Sequence, residues 1–174
     1  MKCLMKSFFV SFMIGTLFSI TIYAQETHLR KMQPWKRNEY LVKLSKEVIK
    51  NFGPDYYHVC DSSEITGPFV FDESHGLFRP SNKNYRGRKY YKVTFVVDST
   101  KHFFSWGYAA YVLVWEKSGE PMQVMFGNGM GKHFLGRSYR KWLEMGLQEE
   151  DIMPYEESEL LKQIYEEKRK KDTP

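Results

Sequence analysis

The chain has 174 residues, 42% of them hydrophobic and 27% charged, with a formal net charge of +5. That is enough apolar material for one ordinary core, and the mild positive charge excludes bulk electrostatic binding of nucleic acid as the main activity. Of the two cysteines, Cys3 lies in the basic amino-terminal segment and Cys60 stands alone after it, which excludes a disulfide framework.

The first 24 residues are expected to be an export signal. Lys2 and Lys6 make a basic start, Phe8 to Tyr23 is apolar and small, and Ala24 precedes the polar Gln25-Glu26-Thr27. The apolar run barely reaches the ~17 residues a spanning helix needs and is interrupted by Ser11, Gly15, Thr16, Ser19 and Thr21, so cleavage after Ala24 is expected. Cys3 precedes the run and does not fit a lipid-attachment site. Removing Lys2 and Lys6 from the 26 basic residues, against 21 acidic ones, leaves about +3. The protein is therefore expected in the periplasm or outside the cell, touching a membrane only during export.

Residues 25–37 are polar and basic and predict a loose lead-in, pinned by Trp35 if by anything. Asn38 to Phe52 predicts a helix: Asn38 suits an N-cap, Leu41, Leu44, Val48 and Phe52 recur at helical spacing, and Gly53-Pro54 stops the run. Residues 55–89 predict short strands at Tyr56–Cys60 and Phe69–Phe71, separated by turns at Gly67-Pro68, Ser74-His75-Gly76 and Pro80-Ser81-Asn82.

The middle of the chain has the most regular pattern. In YYKVTFVVD, Tyr91, Val93, Phe95 and Val97 alternate with Tyr90, Lys92 and Thr94, as in a strand with one buried face. AAYVLVWE is apolar on both faces and predicts a central strand covered above and below. Lys117-Ser118-Gly119-Glu120-Pro121 breaks the run before MQVMF resumes it, which predicts a hairpin. His102 to Tyr108 fits either a loop or a strand start with Gly107 as a bulge. Gly127 to Gly131 reads as a glycine-rich exit from the sheet. Ser138 predicts the cap of a short helix turning Tyr139, Trp142 and Leu143 inward and ending at Gly146. A last helix follows Pro154, with a thin stripe of Leu160, Leu161, Ile164 and Tyr165.

The expected organisation is a single α+β domain over 38–155, an amino-terminal helix on an antiparallel sheet, followed by a charged helix and tail over 156–174. This element order is similar to that of cystatin-like and NTF2-like architectures, in which an early helix is cradled by a curled sheet. The likeness is one of element order and confers no function.

Three stretches are candidate sites. Arg79, Lys83, Tyr85, Arg86, Arg88, Lys89 and Tyr90 lie in a segment without acidic residues from Ser74 to Val97, and aromatic faces beside guanidinium groups can hold an anionic glycan, a lipid headgroup or a single strand of nucleic acid. The alternative is an exposed loop and a lysine-protected strand edge. Gly127, Gly129, Gly131 and Lys132 suggest an anion loop of backbone N–H groups, although the spacing fails the P-loop pattern; the alternative is a tight connection using positive φ. Cys60 with His58 is a weak thiol–histidine pair, since catalytic partners more often come from elsewhere in the chain and an isolated Cys is commonly a buried strand residue. Asp55, Asp61, Glu64, Asp72 and Glu73 offer a carboxylate pair for glycoside hydrolysis. The five histidines have no ligand spacing, so neither metal nor cofactor is expected. The functional expectation is a non-catalytic exported module binding a glycan, lipid or envelope protein. The alternatives are a secreted hydrolase, using Cys60 with a histidine or a carboxylate pair, and a self-assembling envelope protein.

Overall fold

The computed structural model describes residues 28–60 and 62–171. The expected export segment, residues 25–27, Asp61 and the last three residues lie outside the described part. The architecture is α+β: a long amino-terminal helix packs on a five-stranded antiparallel sheet, and short helices follow.

Helix α1 spans Pro34–Phe52 and so starts five residues earlier than Asn38 as the N-cap predicts. Proline is favoured at the first helical position because its fixed φ suits the turn and its missing N–H is one the turn leaves unbonded anyway. From His28 onward the lead-in is not loose. Leu29–Lys31 forms a 3₁₀ turn, Leu29 is fully buried, and its N–H donates to the Glu116 carbonyl at 3.1 Å. Leu29 rather than Trp35 is the pin, since Trp35 projects into solvent from the first turn of α1. The inward face of α1 carries Leu41, Ser45, Val48, Ile49 and Phe52. Gly53 ends it in close contact with the sheet, where a Cβ would run into the Phe126 ring.

The expected strand at Tyr56–Cys60 is instead a helical turn, α2 (Pro54–Tyr57), and its continuation. Pro54 at its first position restarts the helix, and Tyr56 is buried with its hydroxyl donating to the Pro154 carbonyl at 3.0 Å. The strands are β1 (Ser62–Val70), β2 (Lys89–Val96), β3 (Tyr108–Trp115), β4 (Pro121–Phe126) and β5 (Gly131–His133), a meander in which each pairs only with its neighbours in sequence. Residues 98–107 are loop; a register shift falls between Phe95 and Val96 rather than at Gly107. The glycine run is not an exit from the sheet. It is a tight turn into β5, with Gly129 at φ +86° and its N–H donating to the Phe126 carbonyl.

The sheet is covered on both faces. On one side, Tyr91, Val93 and Phe95 of β2, Val112 and Val114 of β3 and Val124 and Phe126 of β4 meet α1. Val48 and Phe52 are fully buried there and Leu44 packs beside them, so the concavity is filled by the helix. On the other side, residues 71–88 fold back over Leu113, Trp115 and Met122, contributing Phe71, Leu77, Phe78 and Tyr85 to a second apolar cluster. Two helices complete the chain. In α3 (Tyr139–Met145) Ser138 is the N-cap, its Oγ accepting from the Lys141 N–H; Tyr139 and Trp142 turn inward, but Leu143 is exposed. Helix α4 (Glu159–Lys171) has no buried residue.

Candidate functional site

The period-two pattern of β2 sends Tyr91, Val93 and Phe95 toward α1 and therefore places Tyr90 on the opposite face. The β2–β3 register sets Tyr90 across from Trp115. Over this pair the 71–88 segment lays a layered aromatic stack. The Tyr85 and Trp115 rings lie 5.6 Å apart and nearly parallel, at 8°. Phe71 meets Trp115 edge-on at 5.7 Å, and Tyr90 does so at 6.4 Å. The Arg88 guanidinium sits 4.6 Å from the Tyr85 ring centre and 5.9 Å from that of Trp115. A guanidinium held by the negative face of aromatic rings keeps its N–H edge available for an anion.

Two open grooves flank this stack. One, about 630 Å³, is lined by Gly87, Arg88, Lys89, Trp115, Glu116, Lys117 and Ser118. The other, about 490 Å³, runs between the 3₁₀ turn Pro80–Tyr85 and the chain from His133 to Gly136, with Leu77, Arg79, Asn82 and Asn84 on its walls. Among the described residues, Arg88, Lys89 and Lys117 take part in no ion pair. The first groove therefore presents three cations and one acid, Glu116.

The residues singled out in this stretch separate into two groups. Tyr85, Arg88, Lys89 and Tyr90 come together around Trp115. Arg79, Lys83 and Arg86 do not join them. Arg79 ties its own turn, its Nη1 donating to the Gly76 and Phe78 carbonyls at 2.9 and 2.6 Å. Arg86 pairs with Glu73 at 3.0 Å on the open surface, and Lys83 is exposed on the 3₁₀ turn. Tyr90 is partly covered by Phe69 and His75, and burial pushes its phenol up. Trp115, Lys117 and Ser118 belong to the groove but were legible only as strand end and turn. Their one signal is the cross-strand register, which would have set Trp115 opposite Tyr90.

The other candidate sites look different in space. Cys60 and His58 share no strand face: both follow α2 on a helical turn, where Cys60 Sγ donates to the Tyr56 carbonyl at 3.3 Å and the exposed His58 ring lies edge-on to Tyr57. In the glycine run, Lys132 is engaged. Its Nζ lies 2.5 Å from Asp151 Oδ1 and 3.9 Å from the Trp142 ring centre. The hydrogen bond from Lys132, with the Gln148 N–H, holds the Asp151 carboxyl below the usual carboxylate range. Of the carboxylates, Asp55 is on α2 and Glu64 on β1, Asp72 accepts from Ser74, and Glu73 faces Arg86; Asp61 lies outside the described residues.

A further polar cluster had no sequence signal. His102 Nδ1 lies 3.0 Å from Glu157 Oε1, and the Tyr155 hydroxyl donates to the same carboxylate oxygen. Burial pushes the Glu157 carboxyl up, but the hydrogen bonds from Tyr155 and His102 and the nearby imidazole outweigh it and hold the group low. Burial, then the bond to Glu157, push the Tyr155 phenol well up. Among the described residues, no three His, Cys, Asp or Glu stand together in a way that could hold a metal ion, and no helix is long and apolar enough to cross a membrane.

Comparison of the chain with protein-family models, with curated proteins and with solved structures finds no match.

Proposed function

We propose that this protein is an exported, non-catalytic binding module that takes an anionic glycan in the groove beside the Tyr85–Trp115 stack. One observation carries the reading: Arg88, Lys89 and Lys117 line one groove without ion-pair partners among the described residues. Unpaired cations on an aromatic wall favour an acidic, hydroxyl-rich chain over a neutral one, and Ser118 adds a hydroxyl to the same lining. A thiol-hydrolase reading has less support, because Cys60 is bonded to backbone on a helical turn. So does self-assembly through the open edge of β1, because Pro68 has no N–H to donate and the register shifts between Thr66 and Phe69.

The test is calorimetric titration with a sulfated oligosaccharide and with a neutral one of equal length. The sulfated ligand binds, and Arg88→Glu with Lys117→Glu weakens it at least about tenfold, as lost charge-assisted contacts require. Arg86→Glu, which alters only an exposed pair, leaves both binding and melting temperature nearly unchanged. Equal affinity for the two sugars, or full binding by the double variant, counts against the proposal.

A further inference from the structure

Helix α4 has a one-sided composition with nothing packed on most of its apolar side. Leu160, Leu161, Ile164 and Tyr165 fall on one side at helical spacing, and Lys168 and Lys171 continue the same side. Glu159 and Glu166 lie opposite, while Glu167 stands at the edge of the apolar side, four residues before Lys171. Leu160 is 66% exposed, and Ile164 and Tyr165 are each more than a third exposed. The helix is nevertheless held at its start. The Ser158 N–H donates to the Phe103 carbonyl, Ser158 Oγ accepts from the Leu161 N–H, and the Tyr165 ring lies 5.3 Å from that of Phe103.

The loop that holds it adds a second apolar group. Trp106, three residues after Phe103, is 64% exposed, and its indole lies against Gly129 in the β4–β5 turn, beside the exposed Met130. A large aromatic with a polar N–H, left in solvent on the same loop whose Phe103 anchors an amphipathic helix, suits a seat at a lipid headgroup boundary. The helix ends in four consecutive cations, Lys168 to Lys171.

We infer that α4, with Trp106, lies on an anionic lipid surface, its apolar stripe toward the acyl chains and its terminal lysines toward the phosphates. The charge pattern selects lipid over a second copy of the helix. Two such helices face to face would press Lys168 and Lys171 against each other in parallel pairing, or against Leu160 and Ile164 in antiparallel pairing. At a headgroup boundary the same lysines lay their stems along the apolar zone and carry their ammonium groups to phosphate. The surface is separate from the groove at Arg88.

The test is co-sedimentation with vesicles of phosphatidylcholine, with and without phosphatidylglycerol. It uses the chain from Gln25 onward, which contains every described element and lacks the apolar amino-terminal segment. The protein sediments with the anionic vesicles, and added salt weakens the association. Leu160→Glu with Ile164→Glu lowers it at least about tenfold, as does Lys168→Glu with Lys171→Glu, while the melting temperature holds because no residue of α4 is fully buried. Arg88→Glu with Lys117→Glu leaves vesicle binding unchanged. Several results would overturn the inference: no preference for the anionic vesicles, undiminished binding by the helix variants, loss of binding through the groove variant alone, or a dimer in sizing chromatography that Leu160→Glu with Ile164→Glu splits while vesicle binding is absent.

Discussion

The two faces of the sheet are closed in different ways. Toward α1 the cover is one regular element whose stripe is apolar except at Ser45, and the strand layer beneath it is mostly Val and Phe. Toward 71–88 the cover is irregular chain, and the layer is built of rings, with a guanidinium on top and a histidine among them. A helix seals by repeating, so its side chains interlock without gaps. An irregular segment covers only where single large side chains reach, and the spaces between them become grooves. Stability should therefore reside mainly on the first face, and the proposed recognition uses the second.

The sharpest way to break the comparison is to remove one ring from each side. Phe52→Ala on the α1 face is expected to cost about 4 kcal/mol and lower the global melting temperature, since the ring is fully buried among Phe134, Tyr139 and the sheet. Phe71→Ala on the other face is expected to cost about 3 kcal/mol, at the low end for a buried Phe because an irregular cover can collapse onto the gap. Hydrogen exchange should separate the two: the second variant opens 72–88 locally and leaves α1 protected. Equal global effects without local opening would remove the distinction.

Smaller effects sharpen it. Ser45 is the one polar side chain among the fully buried residues of α1, and its hydroxyl has no hydrogen-bond partner among the described residues. Ser45→Ala removes an unsatisfied donor and improves helix propensity, so chemical denaturation should show a gain of about 0.5–1 kcal/mol. The smallest effect is a pH slope from the outer face. Burial among Phe71 and Tyr90 holds the His75 imidazole below its usual value, with Asp72 partly opposing, and its Nδ1 accepts from the Leu77 N–H. Below pH ~6.5 the unfolded chain takes up a proton that the folded one still refuses, so stability falls as the pH drops through that value and levels off below the folded pKa. His75→Gln should flatten this slope in thermal melts between pH 7 and 5.

What could be read in the sequence follows from the same contrast. β2, β3 and the hairpin to β4 were legible because burial on one or both faces writes itself as alternation or as an apolar run. The α1 stripe was legible for the same reason, and only its start was misplaced, because Pro34 at the first position carries more weight than Asn38 as a cap. β1 was not legible beyond Phe69 and Val70. Ser62 to Thr66 lie at an exposed edge with only Ile65 half-buried, so no pattern marks them. β5 is three residues long and pairs with β4 through backbone alone. Tyr56 suggested a strand by residue type, but Pro54 at a helix start overrode that preference. At the candidate site, the basic and aromatic composition of 79–90 was visible, while its sorting into a groove-lining set and a turn-tying set depended on Trp115 arriving from β3.

The bond from the Leu29 N–H to the Glu116 carbonyl has a practical corollary. It brings the chain entering at His28 alongside the tip of the β3–β4 hairpin, where the Tyr40 hydroxyl also donates to the Gly119 carbonyl at 3.0 Å. Any fusion partner or purification tag joined upstream would emerge within reach of Lys117 and Ser118 and compete for the space beside them. If the groove binds as proposed, handles and labels for ligand work belong at the other terminus, and a fluorophore placed at residue 28 is expected to respond to its occupancy.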